Sequence, residues 1–144
     1  MREHMGLHRG KEINTGLWMR GYYVCLHDSK GNVSHRIYNA YAETDCGDFY
    51  PDWFEVDPDT VGECTGLRDK NGKLIFEGDI VLFKWDKEYD YCHFIEFVDG
   101  EFLATPALSL ENLWSIRICG ENEKFTVIGN IHDNPELLKG GEDE

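Results

Sequence analysis

Thr65-Gly-Leu-Arg-Asp-Lys-Asn-Gly-Lys-Leu-Ile-Phe-Glu-Gly-Asp-Ile-Val-Leu-Phe-Lys-Trp85 holds two sharp turns and an apolar strand within twenty-one residues. Asp69-Lys-Asn-Gly72 reads as a turn, with Asn71-Gly72 as a pair suited to positive φ. Leu74-Ile-Phe76 is a short apolar run, expected to be buried. Glu77-Gly-Asp79 bends the chain again, because Gly78 takes positive φ without a Cβ clash. The carboxylates of Glu77 and Asp79 are expected to lie exposed at the start of the next strand. Ile80 to Trp85 is that strand, apolar on both faces except at Lys84. Burial on both faces suits the wall of a small barrel covered by another segment.

Working outward, the N-terminal side reads as a β arm. Met1 to Asn14 is polar and expected to be loose, with a short strand around Leu7-His-Arg9. Leu17 to His27 alternates cleanly: Trp18, Arg20, Tyr22, Val24 and Leu26 share one face, and Met19, Tyr23, Cys25 and His27 share the other. Asp28-Ser-Lys-Gly-Asn32 is a hairpin loop, and Val33 to Tyr41 returns with Val33, His35, Ile37 and Tyr41 on one side. A two-stranded arm is marginal alone, so it has to pack on something.

Glu43 to Glu63 differs in kind. It carries eight carboxylates, and no Lys or Arg occurs between Arg36 and Arg68. Aromatics interleave at Phe49, Tyr50, Trp53 and Phe54, with Pro51 and Pro58 as punctuation. The segment reads as an irregular connection, with a short strand at Trp53 to Val56 and one helical turn begun by Pro58.

On the C-terminal side, Tyr89 to Val98 and Glu101 to Thr105 form a hairpin across Asp99-Gly100. Ser109 is positioned to cap a short helix through Trp114. Ile116 to Cys119 is a weaker strand. Phe125 to His132 is the last strand, and Gly129 within it signals a bulge. Asn134-Pro135-Glu136 starts a helical turn with Asn134 as cap. Gly140 to Glu144 is an acidic tail expected to be frayed.

These pieces define the expected fold class. It is mainly β, with an SH3-like β-barrel, an N-terminal β-hairpin arm and a few short helical turns. The expected divisions are 1–64 for the arm and acidic connection, 65–138 for the barrel and 139–144 for the disordered tail. A chain of this length buries about 68–70% of its unfolded surface, so it folds without a disulfide or metal.

The chain is strongly acidic, with a formal net charge of −14 at pH 7. Such a surface lacks the basic footprint of a nucleic-acid binder. Cys25, Cys46, Cys64, Cys92 and Cys119 are odd in number and widely spaced, which argues for reduced thiols in a cytoplasm. Met1 to Leu7 has no apolar signal region, and no apolar run reaches the length of a membrane span.

Candidate chemistry is sparse. Cys25 and His27 share a strand face, but the short paired spacings of zinc sites are absent, and adjacent Cys92-His93 point to opposite faces. Asp45, Asp48 and Asp52 are carboxylates in one loop without the spacing of a calcium motif. Glu77 and Asp79 are explained by the turn rather than by paired-carboxylate hydrolysis. Cys64 and Cys119 have no assignable base. No phosphate-loop, dinucleotide or nucleophile-elbow motif occurs. No catalytic residue, cofactor or metal is assigned, and the chain is not expected to be an enzyme.

Three stretches together carry a resemblance. Thr65 to Val81 resembles the signature of the YopX family, small proteins of phages and prophages. Arg9-Gly-Lys followed by Gly16-Leu-Trp-Met-Arg-Gly-Tyr-Tyr23 is similar to the family's N-terminal part, and Val127-Ile-Gly-Asn-Ile-His-Asp-Asn-Pro-Glu-Leu-Leu138 to its C-terminal end. The resemblance implies an SH3-like barrel, a phage origin in a bacterial host and oligomers. It implies no activity.

The expected function is therefore a non-catalytic accessory protein that binds another protein. Asp45, Asp48, Tyr50, Asp52, Trp53 and Phe54 are its candidate partner-binding residues, since carboxylates attract a basic surface and aromatics anchor interfaces. One alternative is an acidic nucleic-acid mimic that inhibits a host DNA-processing protein. Another is an enzyme whose site is assembled from scattered residues. No direct nucleic-acid or membrane contact is expected. A homo-oligomer is, because the arm from Leu17 to Tyr41 is apolar on both faces.

Overall fold

The computed structural model describes residues 6–39, 53–84, 90–107 and 114–139. These residues are mainly β, with three short 3-10 helices at Pro58–Thr60, Asn122–Lys124 and Pro135–Lys139. The chain divides into two compact units between Cys64 and Thr65. No helix among the described residues is long and apolar enough to cross a membrane.

The first unit is an antiparallel sheet. Its strands are β1 (Leu7–Lys11), β2 (Trp18–His27), β3 (Val33–Asn39), β4 (Trp53–Glu55) and the start of β5 (Gly62–Arg68), in the order β4-β3-β2-β1-β5. The register pairs Tyr22 with Leu7 on one side and with Tyr38 on the other, and Tyr38 with Trp53. The expected arm is thus part of a wider sheet. The short strand expected around Leu7 to Arg9 is present and runs on to Lys11; it sits between β2 and β5, with Leu7 and Arg9 buried. Two glycines make the close packing possible. A Cβ at Gly21 would run into the Tyr38 carbonyl, and one at Gly10 would sit 3.2 Å from Ile37, Val56 and Val61. Ile37, Val56 and Cys64 are fully buried.

Asp57 starts the helical turn before β5: its carboxylate accepts the Asp59 N–H, and Pro58 fills the first position. Beyond Cys64, β5 continues into the second unit and lies beside β6 (Leu74–Phe76). The remaining strands are β7 (Asp79–Lys84), β8 (Asp90–Val98), β9 (Glu101–Pro106), β10 (Ile116–Arg117) and β11 (Phe125–Asn130), in the order β10-β9-β8-β7-β11. All neighbours are antiparallel. Among the described residues this sheet is open: no pairing joins β10 to β11.

The core of the second unit gathers Ile75, Val81, Ile95, Ala104, Ile118 and Phe125, with Leu67, Phe83, Phe102, Ile116 and Val127 packed against it. Asp99 (φ 50°) and Gly100 (φ 87°) both take positive φ, as a two-residue hairpin turn requires. The register of β11 against β7 shifts between Val127 and Gly129, which is the expected bulge. At Gly129 a Cβ would meet the Asn134 side chain at 2.5 Å. That side chain does not cap the following helical turn as expected. Its Oδ1 accepts the Asn130 N–H (3.2 Å), while the Asn134 carbonyl accepts Leu137 N–H (3.0 Å). The expected helix from Ser109 lies outside the described residues.

Candidate functional site

The turns of the 65–85 stretch are held by two buried carboxylates. Asp69 Oδ1 accepts the N–H groups of Asn71 (2.9 Å) and Lys73 (2.8 Å), and Oδ2 accepts that of Val127 (2.9 Å). Gly72 alone of the Asn71-Gly72 pair takes positive φ (85°), because the Asp69 side chain already folds the loop. Asp79 is not exposed as expected: it is 1% accessible, and Oδ2 accepts the buried Phe76 N–H at 2.7 Å. Gly78 links both flanks, donating to Ile95 O (2.8 Å) and accepting from Ile131 N–H (2.9 Å). Buried carboxylates bonded to backbone N–H groups are structural fasteners, and they leave little acceptor capacity for a substrate.

His93 is likewise internal. It is fully buried with its ring edge-on to Phe83 and Phe125, and Nδ1 lies 2.9 Å from Tyr91 O. Burial holds its pKa below the usual histidine range, against the pull of that backbone bond. The neighbouring Cys92 is half-buried, and burial pushes its thiol up, away from the nucleophilic form.

The first unit presents a different surface. Directly paired residues of an antiparallel sheet point to the same face. By register, one face carries five rows: Lys11 with Trp18; Arg9 with Arg20; Leu7, Tyr22, Tyr38 and Trp53; Val24, Arg36 and Glu55; Leu26 with Ser34. Tyr22 is 54% and Trp53 40% exposed. The Arg36 guanidinium lies 3.8 Å over the Trp53 ring, its Nε donates to Ser34 Oγ (3.0 Å), and Nη1 donates to Tyr38 OH (3.4 Å). Arg9 and Lys11 lie over Trp18 at 4.8 and 5.5 Å. We call this the aromatic face.

The other face of the same sheet carries the histidines. Tyr23 OH and His35 Nδ1 are 2.6 Å apart, with near-parallel rings, and His8 packs against Tyr23. Burial, then the nearby Cys25, raises the Tyr23 pKa. Cys25 Sγ and His27 Nε2 are 3.7 Å apart and exposed. Among the described residues no three His, Cys, Asp or Glu side chains are placed to hold a metal ion.

Of the sequence-predicted partner residues, Trp53 and Phe54 are described, and they separate. Trp53 joins the aromatic face, while half-buried Phe54 pairs with Ile37 on the opposite one. Asp45, Asp48, Tyr50 and Asp52 lie outside the described residues, as do Cys46, Trp85 and Tyr89. Sequence reasoning placed Tyr22 and Arg20 on one strand face but missed their neighbours from β3 and β4, because rows across strands require the register.

The YopX protein family matches residues 9–139. The chain belongs to the YopX family. Among solved structures, it is similar to protein EF1440 from Enterococcus faecalis, with 25% identity and a TM-score of 0.54, over 93% of this chain and 99% of that one. It also shares the fold of protein yopX from Bacillus subtilis, at 20% identity and a TM-score of 0.53, over 91% of this chain and 96% of that one. No curated protein matches. The YopX-family match spans both the buried-carboxylate turns and the aromatic face.

Proposed function

We propose that this YopX-family chain is a non-catalytic protein-binding module, and that the aromatic face is its recognition surface. One observation carries this reading: Tyr22 and Trp53 stand exposed in a single cross-strand row, with Arg36 stacked on Trp53. Tyrosine, tryptophan and arginine supply most interface hot spots, because each offers a large rigid area with a polar handle. In this reading the strands from β6 to β11 are the SH3-like part and serve as scaffold. The protein works in the cytoplasm of a phage-bearing bacterial host as a homo-oligomer, away from membranes.

The test is capture from host lysate with the tagged wild type and with the Tyr22→Ala/Trp53→Ala double variant. A protein retained by the wild type and lost by the variant is the expected result. An identical set of captured proteins would refute the aromatic face as the recognition surface.

A further inference from the structure

We infer that Cys25 and His27 form half of a site for a thiophilic divalent cation of the zinc class, and that the same pair of a second copy completes it. This rests on the reading of the chain as a homo-oligomer, and it names one interface and what bridges it.

The pair comes from the strand period. Residues two apart on β2 point to one face, so Cys25 and His27 stand side by side. Both are exposed, and Sγ lies 3.7 Å from Nε2. Two ligands of one tetrahedral zinc ion, with Zn–S of about 2.3 Å and Zn–N of about 2.0–2.1 Å, lie about 3.5–3.6 Å apart. The sulfur and the nitrogen therefore already stand at the bite of a single ion. Aimed at each other, they hold between them the proton that a cation displaces, since a metal takes the thiolate and the neutral imidazole. That donor set selects zinc or cobalt over magnesium or calcium, which take oxygen ligands.

The surroundings point to a second copy. Among the described residues no third His, Cys, Asp or Glu side chain is placed to join the pair. His35, directly opposite Cys25, has Nδ1 against Tyr23 OH at 2.6 Å. Asp28, next to His27, uses both carboxylate oxygens within its own loop. The hairpin thus offers two of the four ligands that a structural zinc ion takes. A two-fold axis beside it doubles the pair to two cysteines and two histidines, and two-fold pairing is the commonest symmetry of homo-oligomers. Val33 is paired with His27 on the same face and is 45% exposed, so a second hairpin laid there also covers apolar surface. Tyr22 and Trp53 lie on the opposite face of the sheet, so this bridge leaves the aromatic face open.

The experiment uses the full chain, reduced and stripped of metal with a chelator. Cobalt is titrated as the spectroscopic probe, and mass is followed by light scattering with zinc. The expected spectrum has a thiolate-to-cobalt charge-transfer band and the strong visible bands of a tetrahedral ion, saturating at one ion per two chains. The expected mass doubles with zinc and returns with chelator. Cys25→Ser and His27→Ala, both at exposed positions, should each abolish the band and the doubling, with the metal-free melting temperature nearly unchanged. Cys119→Ser removes another exposed thiol and should keep both signals. Saturation at one ion per chain with an unchanged mass would overturn the bridge. Signals that survive Cys25→Ser and His27→Ala, or that vanish with Cys119→Ser, would overturn the site. A mass already that of an oligomer in chelator and unmoved by zinc would keep the homo-oligomer and overturn this interface. A monomer under every condition would overturn both. Absence of the cobalt band would overturn the inference outright.

Discussion

The loops Asp28–Asn32 and Asp69–Lys73 are built the same way. In each, the first aspartate N–H bonds the carbonyl four residues on, the glycine N–H returns to the aspartate carbonyl, and Gly31 (φ 88°) or Gly72 (φ 85°) makes the turn. In each, aspartate Oδ1 accepts two loop N–H groups. They differ in the second oxygen. Asp28 Oδ2 takes the Asn32 side chain within its own exposed loop. Asp69 Oδ2 takes the Val127 N–H, and the residue is 4% exposed. One local device closes a hairpin tip in the first unit and joins distant strands in the second. The surrounding regions diverge accordingly: around Asp69 polar groups turn inward, while around the β2–β3 hairpin aromatics turn outward.

The largest effect is expected at Asp69. Asp69→Ala strands three N–H groups, one on the core strand β11, and should lower unfolding free energy by about 3–5 kcal/mol, read by denaturant titration. Asp28→Ala, which removes the same local bonds at an exposed tip, should cost about 0.5–1 kcal/mol. Equal losses would erase the distinction between the loops. Asp79→Ala falls between them, at about 2–3 kcal/mol, because it leaves the buried Phe76 N–H without its acceptor.

A smaller, pH-dependent effect follows from His93. Its folded pKa is lowered by burial, so the unfolded chain binds the proton more readily. The neutral ring's contribution is complete above the unfolded value of about 6.5 and is lost as pH falls through it toward the folded value. Stability measured between about pH 7 and 5.5 should therefore decline, and His93→Leu should flatten that decline. The same slope in both proteins would contradict it.

Most strands were legible because their patterns are local. Alternation marked β2, Asp99-Gly100 marked the β8–β9 turn, and Gly129 marked the bulge in β11. The burial of Asp79 was not legible: Glu-Gly-Asp reads the same whether the carboxylate faces water or caps a buried N–H. Nor was the aromatic face. Its cations and rings are scattered from Lys11 to Trp53, and only pairing across four strands brings them into adjacent rows. Net charge and composition carry no trace of that pattern.

The most direct test of the account takes Tyr22→Ala/Trp53→Ala through thermal melting and partner capture in the same preparation. If these rings are recognition groups, the melting temperature should stay within about 3 °C of wild type, corresponding to less than ~1 kcal/mol, while capture of the partner is lost. A melting temperature far below wild type with capture intact would make them packing residues and contradict the account.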